Sequence, residues 1–205
     1  MSASETGTRR GRPRGFDRDA AVAAATRLFW ERGYEATSIS DLTEAMGIRS
    51  GSLYAAFGDK PGLFQAVLEA YRESPSGAFV YVAFAEEPTA FGAVARMLRE
   101  AAHVFTDPAH PAGCMVTNAA TNVSPANVEV LELLRDKRNR NIVMVADRLR
   151  EGQAAGELAP SVDADALAAY YAAVYQGMSQ RARDGADESE LLQTADLALA
   201  VWPRG

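Results

Sequence analysis

Hydrogen-bonding side chains are concentrated between positions 37 and 60, where the chain reads TSISDLTEAMGIRSGSLYAAFGDK. Hydroxyl and ammonium groups suit the phosphate oxygens of a nucleic acid, and such contacts position a protein without reading bases. The Arg49 guanidinium can donate to guanine O6 and N7 together, which discriminates bases by ~1 to 3 kcal/mol. The segment therefore predicts contacts with double-stranded DNA. The predicted contact residues within it are Thr37, Ser38, Arg49, Ser50, Ser52, Tyr54 and Lys60.

Two short helices joined by a glycine must position these side chains. Ser40 can cap a helix that ends at Met46, and Gly47 allows a tight turn. A second short helix runs roughly over residues 50–57, and a longer helix of about residues 17–32 precedes both. This is the order of a helix-turn-helix, whose last helix enters the major groove, ~12 Å wide. The apolar residues that should face inward are Ile39, Leu42, Met46, Ile48, Leu53 and Phe57.

Several of the candidate contact residues also have a purely structural interpretation. Ser38 and Ser40 could be helix caps and nothing else, although capping and phosphate contact can coincide. Arg49 could be a solvated charge, and Tyr54 could be half-buried packing. Ala55, on the outward side of the third helix, could contact a thymine methyl group.

Residues 1–15 are rich in glycine and arginine and have no hydrophobic period. Such a composition predicts a disordered basic arm. The sequence RGRPR at positions 10–14 is similar to the core of AT-hook peptides, whose arginines enter the narrow minor groove of A·T tracts. We therefore predict that Arg10, Arg12 and Arg14 contact DNA. A plain disordered tail is the alternative.

The charge of the chain is unevenly distributed. The net charge of the 205 residues is -6, but residues 1–72 carry 10 basic and 9 acidic side chains, whereas residues 73–205 carry 11 and 18. This asymmetry suits a DNA-binding part joined to an acidic body. The single cysteine, Cys114, excludes an intramolecular disulfide framework. With no signal peptide or membrane-spanning run, the sequence predicts a soluble cytoplasmic protein.

Helical patterns continue beyond the helix-turn-helix. A fourth helix should begin near Lys60 and stop at Pro75, and further helices are expected over about 88–106, 113–122, 125–152 or 125–156, 163–184 and 188–202. Strand signals are poor, because alanine is abundant and no hairpin dipeptide separates alternating runs. The sequence therefore predicts an all-α protein with about nine helices.

The segment GYEATSISDLTEAMGIRSGSLYAAFGDKPGLF resembles the DNA-binding segment of the TetR family of bacterial transcriptional regulators. The resemblance covers roughly residues 16–68, and it includes the aromatic pair Tyr54 and Phe57. It implies a homodimer, a helix-turn-helix domain at 16–62, and a helical effector-binding and dimerisation domain at 63–205. Many members carry basic or bulky polar residues where this chain has Ser50, Ala55 and Ala56, so base contacts should be few.

The last two helices carry apolar stripes that should pair with a second subunit if the family resemblance holds. A monomer would leave these stripes exposed. The alternative is that both stripes pack within one subunit. The predicted interface residues are Leu167, Tyr171, Val174, Met178, Leu192, Ala195, Leu199 and Trp202.

A pocket for an unknown small-molecule effector should lie between the central helices. Such pockets are lined by apolar and aromatic groups with a few polar ones. For each candidate, packing in an ordinary core is the alternative, and the Asn118 amide needs a hydrogen-bond partner in either case. The candidates are Tyr71, Phe91, Phe105, Met115, Asn118, Met144, Tyr170 and Tyr175.

Other classes of function have weaker support. His103, His110 and Cys114 lie close in sequence, but their spacing matches no standard zinc pattern, so no metal or cofactor is predicted. No catalytic residue is predicted either, because the acidic residues have no histidine or serine partner at a diagnostic spacing. The function predicted is a DNA-binding repressor released by an effector. The alternatives are a ligand-free regulator on the same fold, an enzyme, or a helical protein-interaction module.

Overall fold

The computed structural model describes residues 16–203, and every secondary-structure element in that range is a helix. The all-α prediction is therefore confirmed. The basic arm of residues 1–15 lies outside the described residues. The helices are α1 (Arg18–Arg32), α2 (Ile39–Met46), α3 (Ser50–Phe57), α4 (Lys60–Glu73), α5 (Pro75–Glu86), α6 (Ala90–Thr106), α7 (Met115–Ala119), α8 (Val128–Ala154), α9 (Ala164–Arg183) and α10 (Glu188–Ala200).

The described range holds ten helices, whereas the sequence predicts about nine. The additional helix is α5. Pro75 ends α4, as predicted, but it also occupies the first turn of α5, where a fixed φ and a missing N–H cost nothing. The pattern of α5 is hard to recognise because Phe79, Val80 and Val82 follow one another without a polar face.

Local capping signals set the ends of the short N-terminal helices. Ser38 and Asp41 form a capping box at the start of α2, and Gly47 ends that helix in the left-handed conformation with φ of 63°. At the start of α4, the Asp59 carboxylate accepts a hydrogen bond of 2.7 Å from the backbone N–H of Gly62. These caps hold α3 between two well-defined turns.

Aromatic side chains fasten α1 to α4. The Phe29 and Phe64 rings meet edge-to-face with centroids 4.9 Å apart, and Tyr34 packs on Phe64 at 5.0 Å. Further along α4, Tyr71 meets Trp30 edge-to-face at 5.0 Å. Such pairs contribute about 0.5–1.5 kcal/mol each beyond their buried area. Since α4 crosses the predicted domain boundary at residues 62 and 63, this packing joins the N-terminal helices to the body.

The loop between α6 and α7 provides a second attachment for α1. The Trp30 indole Nε1 donates a buried hydrogen bond of 3.0 Å to the Gly113 carbonyl, and the His110 ring stacks on the indole with centroids 4.4 Å apart. Arg27 donates to the Ala109 carbonyl at 3.0 Å. The orientation of α1 relative to the body is thus fixed by directional contacts as well as by packing.

The loop between α7 and α8 provides a third attachment, centred on Glu35. Its carboxylate accepts hydrogen bonds from the Ser124 backbone N–H at 2.7 Å and from the Asn127 amide at 2.6 Å. These two hydrogen bonds, with a smaller contribution from the Lys60 ammonium, lower the pKa of Glu35. The ionised carboxylate is therefore part of the folded arrangement.

In the body, α6 is the central helix. It packs against α5, α8, α9 and α10, and most of its residues are buried. Leu98 and Phe105 are fully inaccessible to solvent, as are Tyr171 of α9 and Leu191 of α10. No helix within residues 16–203 combines the length and the apolar character needed to cross a membrane.

We expect Trp30→Phe to destabilise the protein, because it removes the indole N–H and leaves the buried Gly113 carbonyl unpaired. An unpaired buried group costs about 1–3 kcal/mol, and the smaller ring adds to that loss. Urea unfolding followed by far-ultraviolet circular dichroism gives the free energy. The matched control is Trp202→Phe, whose indole has no hydrogen bond to any residue of the described range. Equal losses in the two variants would show that the hydrogen bond contributes nothing.

We expect Glu35→Gln to change how stability depends on pH. Because the folded-state pKa is lowered, the carboxylate contributes stability above its unfolded pKa of about 4.3, and that contribution disappears as the pH falls through the folded value. The variant should have a lower free energy of unfolding at neutral pH and a shallower decline between roughly pH 5 and pH 3. Glu31→Gln, an exposed position on α1, is the control. The same acid slope in both variants would contradict this role of Glu35.

Candidate nucleic-acid interface

The solvent side of α3 presents the side chains that the sequence predicts to read DNA. We call Arg49, Ser50, Tyr54, Ala55 and Ala56 the recognition face; all five are exposed, and Tyr54 is 49% accessible. Leu53, on the opposite side of the same helix, is completely buried, and so is Leu42 of α2. One side of α3 therefore packs against the protein core, and the opposite side is exposed to solvent.

Arg49 is placed at the start of α3 with its side chain unused. It is the residue that caps α3, but its side chain makes no capping hydrogen bond. Within residues 16–203 its guanidinium forms no ion pair or hydrogen bond. An exposed guanidinium with all its donors available at the end of a helix can insert into a major groove and approach a base edge. The position of Arg49 is therefore compatible with a direct base contact, which remains a prediction.

The prediction that Thr37 contacts DNA is wrong. Its side chain is fully buried, and its hydroxyl donates a hydrogen bond of 2.7 Å to the Gly33 carbonyl. Gly33 itself has φ of 79°, in the region that favours glycine. Thr37 thus closes the turn between α1 and α2 and offers nothing to a phosphate.

Two serines behave differently from the sequence expectation. α2 begins at Ile39, so Ser38 rather than Ser40 is its cap. The Ser38 hydroxyl donates to the Asp41 carboxylate and accepts from the Asp41 backbone N–H at 3.1 Å. The capping interpretation of Ser38 is confirmed, and a phosphate contact by the same exposed side chain remains a prediction. Ser52 is half-buried beside the recognition face, and its phosphate contact also remains a prediction.

Lys60 is held by an aromatic residue that sequence reasoning did not identify. Its ammonium Nζ lies 4.1 Å from the centroid of the Tyr34 ring, a cation–π contact. Partial burial lowers the pKa of Lys60, and the opposing charge of Glu35 raises it by a smaller amount. Burial also raises the pKa of Tyr34 to about 12, so its phenol is neutral at pH 7. The position of Tyr34, an aromatic residue directly after Gly33, was the one sequence feature that could have indicated this contact. Arg10, Arg12 and Arg14 lie outside the described residues.

Two adjoining cavities, of about 220 Å³ and 40 Å³, lie inside the body. They share five wall residues, among them Cys114, Asn141 and Tyr175. Of the predicted pocket residues, Tyr71, Met144 and Tyr175 line this space. The cavity lies next to α4, whose first turn carries Lys60.

The other predicted pocket residues lie elsewhere. Phe91 and Tyr170 are each 39% exposed and face outward, and Phe91 packs on Trp202 at a centroid distance of 5.2 Å. Asn118 is buried, but it donates to the Ala112 carbonyl at 2.8 Å and accepts from the Ser179 hydroxyl at 3.2 Å. Its amide is therefore occupied by the protein itself.

Two further predicted pocket residues belong to the core. Phe105 and Met115 are fully buried and do not line either cavity. Phe105 packs edge-to-face on Tyr175, with centroids 5.1 Å apart, so it supports a cavity wall from behind. The core interpretation is the correct one for both residues.

Most of the predicted dimer-interface residues are buried inside the single subunit. Five of them are less than 10% accessible to solvent: Tyr171, Met178, Ala195, Leu199 and Trp202. For these five residues the prediction is wrong, and the alternative of packing within one subunit is correct. Three others are half-buried: Leu167, Val174 and Leu192.

The apolar groups that α9 and α10 do expose lie on the next face of each helix. Leu197 on α10 is 73% accessible, and Val201, directly after the end of α10, is 58% accessible. On α9, the exposed positions include Ala169, Tyr170 and Ala173. A shift of one residue, from Tyr171 to Tyr170, separates the buried face from the exposed one, because both faces of α9 carry apolar side chains.

The structure separates the histidines from the cysteine. His103 is exposed, and its Nδ1 lies 3.4 Å from a Glu188 carboxylate oxygen, whereas the His110 ring stacks on Trp30. Cys114 is buried, with Sγ 3.8 Å from the Tyr71 hydroxyl. Nowhere between residues 16 and 203 do three or more histidine, cysteine, aspartate or glutamate side chains cluster in a metal-binding arrangement.

Two family profiles match the chain. One, described as bacterial regulatory proteins of the tetR family, matches residues 21–67. The other, described as the tetracyclin repressor-like C-terminal domain, matches residues 90–196. The first match contains the recognition face, and the second contains most of the cavity wall contributed by α7, α8 and α9.

Characterised relatives align along nearly the full chain. The HTH-type transcriptional repressor ComR of Escherichia coli (strain K12) is 40% identical over 95% of this chain and 92% of its own length. The repressor BdcR of the same strain is 30% identical over 92% of this chain and 90% of its own. A solved structure of a cysteine mutant of the regulator CifR, in complex with 26-base-pair operator DNA, superposes with a TM-score of 0.89 at 41% identity, covering 94% of this chain and 100% of that one.

We expect Arg49→Ala and Lys60→Ala to weaken DNA binding in different ways. Fluorescence anisotropy gives the affinity of each variant for DNA duplexes. The duplexes are selected for binding from a random-sequence pool and are compared with their single-base variants. Arg49→Ala should lose about 5- to 150-fold on the selected duplex and relax the preference at one base pair. Lys60→Ala should weaken selected and random duplexes alike and reduce the salt slope by about one.

The control for both substitutions is Arg135→Ala, which removes an exposed arginine of α8, remote from the recognition face. It should leave both affinities unchanged. Equal losses on selected and random DNA for Arg49→Ala and Lys60→Ala would contradict the division between base contact and phosphate contact.

Proposed function

The chain belongs to the TetR family of bacterial regulatory proteins and is a DNA-binding transcriptional regulator, and we propose that it represses transcription from a near-palindromic operator until a small molecule releases it. The observation that carries the proposal is the recognition face, a helix open to solvent with Arg49 unpaired at its start. That both near relatives ComR and BdcR are named repressors supports repression rather than activation. The family membership sets aside the enzyme and the interaction module.

A dimer is needed to recognise a near-palindrome, and we propose that the exposed faces of α9 and α10 form it. Leu197 of α10, Val201 at its C-terminal end and Tyr170 of α9 are large side chains with apolar surface in contact with water. Small residues between them, such as Ala169 and Ala173, would let two copies of α9 approach closely. An isologous pairing of these faces would build a four-helix bundle and place two recognition faces on one side of the dimer.

The operator spacing follows from this arrangement. Two copies of α3 that enter successive major grooves on one face of the duplex are separated by about one helical turn, ~34–36 Å. The exposed Ser50 and Tyr54 and the half-buried Ser52 would donate to phosphates, and Arg49 would read a base. If Arg10, Arg12 and Arg14 enter the adjacent minor groove, the complex gains contacts that the small side chains of the recognition face do not provide.

Release by a ligand is supported by the position of the cavity. Tyr71 lines the cavity from α4, and its ring packs directly on Trp30 of α1. A ligand that displaces Tyr71 would shift the aromatic contact between α1 and α4, and with it the spacing of the two recognition faces. A ligand acts only through its differential affinity for the two conformations. A regulator of the same fold without a ligand would have no use for this enclosed space.

The direct test is a gel shift with the DNA that flanks the gene encoding this chain, repeated across a panel of metabolites. We expect a retarded complex and its loss with at least one metabolite. Failure to bind both the flanking DNA and duplexes selected from a random pool would overturn the proposal.

We expect Leu197→Glu to convert the protein into a monomer, because a carboxylate in a dry interface has no partner there. Sedimentation velocity at micromolar concentration distinguishes the two states. The matched control is Val143→Glu on α8, a valine that is 56% exposed and lies outside the proposed interface. A wild-type monomer, or a Leu197→Glu protein that still sediments as a dimer, would defeat this assignment of the interface.

A further inference from the structure

The cavity wall carries positive charge without compensation. Arg72, Lys137 and Arg140 line the larger cavity and Arg138 lines the smaller one, whereas no aspartate or glutamate lines either. None of these four cations forms an ion pair with a carboxylate anywhere in residues 16–203. Arg72 and Arg140 are exposed to solvent at the mouth of the larger cavity, whereas Lys137 and Arg138 are half-buried. The two half-buried cations of α8 are therefore the ones whose lack of a counter-charge requires an explanation.

Arg138 is the most informative of the four. Its Nη1 is a buried nitrogen with no hydrogen-bond partner, and it is the single buried side-chain nitrogen or oxygen in this condition within the described range. A buried charged donor without an acceptor is costly, and native proteins rarely keep one. Burial lowers the pKa of Arg138, which is the direction expected of a cation that lacks a counter-charge. An acceptor that enters the cavity would remove this penalty.

Lys137, one turn from Arg140, repeats the pattern at the larger cavity. Burial is the main cause that lowers the pKa of Lys137, and repulsion from Arg140 and Arg72 lowers it further. Attraction to Glu69 raises it by a smaller amount. Arg72 is partly satisfied by the Tyr81 ring, whose centroid lies 5.1 Å from its Cζ. A bound anion would relieve repulsion among all of these cations at once.

The rest of the wall is apolar. The larger cavity is lined also by Leu68, Val80, Val116 and Met144. Polar groups are few: the Asn141 carbonyl oxygen already accepts a hydrogen bond of 3.0 Å from the Tyr81 hydroxyl, which leaves its amide N–H groups to donate. Thr117 and Gln176 add a hydroxyl and an amide to the wall of the smaller cavity. All the charged groups of the wall are therefore cations, and most of the remaining surface is hydrocarbon.

From this combination we propose that the effector is a compact organic carboxylate, with its carboxyl group on Arg138 and its apolar body against the aliphatic wall. A guanidinium binds a carboxylate through two parallel hydrogen bonds, which a neutral amide or alcohol cannot reproduce. The volumes of about 220 Å³ and 40 Å³ lie below the range of about 300–1,000 Å³ typical of drug-sized ligands, so the molecule is small. The proposal deepens the proposed function and rests on it for the regulatory consequence.

The groove along the outside of α1 and α4 does not have this character. Its volume is larger, at about 690 Å³, but its wall contains both basic and acidic side chains: Arg18, Arg27, Asp19, Glu69 and Glu73. Compensated charge gives no preference for an anion. The contrast assigns the anion-binding property to the enclosed cavity.

The experiment uses isothermal titration calorimetry on the full-length protein. The probes are benzoate, hexanoate and octanoate, each paired with its uncharged primary amide. We expect at least one carboxylate to bind and its amide to bind at least 10-fold more weakly. Arg138→Met should reduce carboxylate affinity by about 10- to 150-fold, the range for a lost hydrogen bond to a charged group, and should leave amide affinity unchanged.

Control variants separate the cavity from the surface. Arg135→Met removes an exposed arginine from the same helix, outside the cavity, and should bind the carboxylate like the wild type. Arg138→Met should fold, because replacing an unsatisfied buried cation with an apolar chain of similar length removes a desolvation cost. Arg138→Lys keeps the charge without the fork and should fall between the wild type and Arg138→Met.

The outcomes are distinct. No binding by any carboxylate, equal binding of carboxylates and amides, or unchanged binding by Arg138→Met would each overturn the inference. If carboxylates bind through Arg138 but none releases the protein from DNA, the cavity chemistry stands and the proposed release mechanism fails. If neutral molecules alone release DNA, the proposed function stands and the carboxylate assignment fails.

Discussion

The aromatic contact between α1 and α4 is the interaction on which the rest of the molecule depends. Phe29 and Tyr34 pack on Phe64 at one end of α4, and Trp30 packs on Tyr71 at the other. The first group sets the position of α3, because α2 and α3 are too short to be stable without a partner surface. The second group touches the cavity. One helix therefore connects the cavity to the DNA-binding surface.

The cations of the cavity and the arginine of the DNA-binding surface differ in their access to water, although both belong to the same acidic chain. At the DNA-binding surface Arg49 is exposed and solvated, so its charge costs little. In the cavity, Arg138 and Lys137 are partly withdrawn from water without a counter-ion, so their charge costs stability. Stability given up at a site that binds a ligand is recovered on binding, which couples occupancy to conformation.

The sequence predicted what short-range rules determine. The glycine turns, the caps and the burial of Leu53 follow from local pattern, and with them the helix-turn-helix and its exposed Arg49. Thr37 was misassigned because a hydroxyl next to a turn can face either water or the backbone, and only the path of the chain at Gly33 decides which. The choice between Tyr170 and Tyr171 failed for another reason: α9 is apolar on two faces, so periodicity does not say which one the subunit buries. The cationic wall was missed because its residues converge from α4 and α8, which are distant in sequence.

The central claim is that a pair of these subunits presents two copies of α3 to successive major grooves at a spacing fixed by the packing of α1 on α4. Hydroxyl-radical footprinting of the operator complex tests it most directly. We expect two protected patches on one face of the duplex, with centres separated by about one helical turn of 10–10.5 base pairs. A single protected patch, or two patches on opposite faces of the duplex, would contradict it.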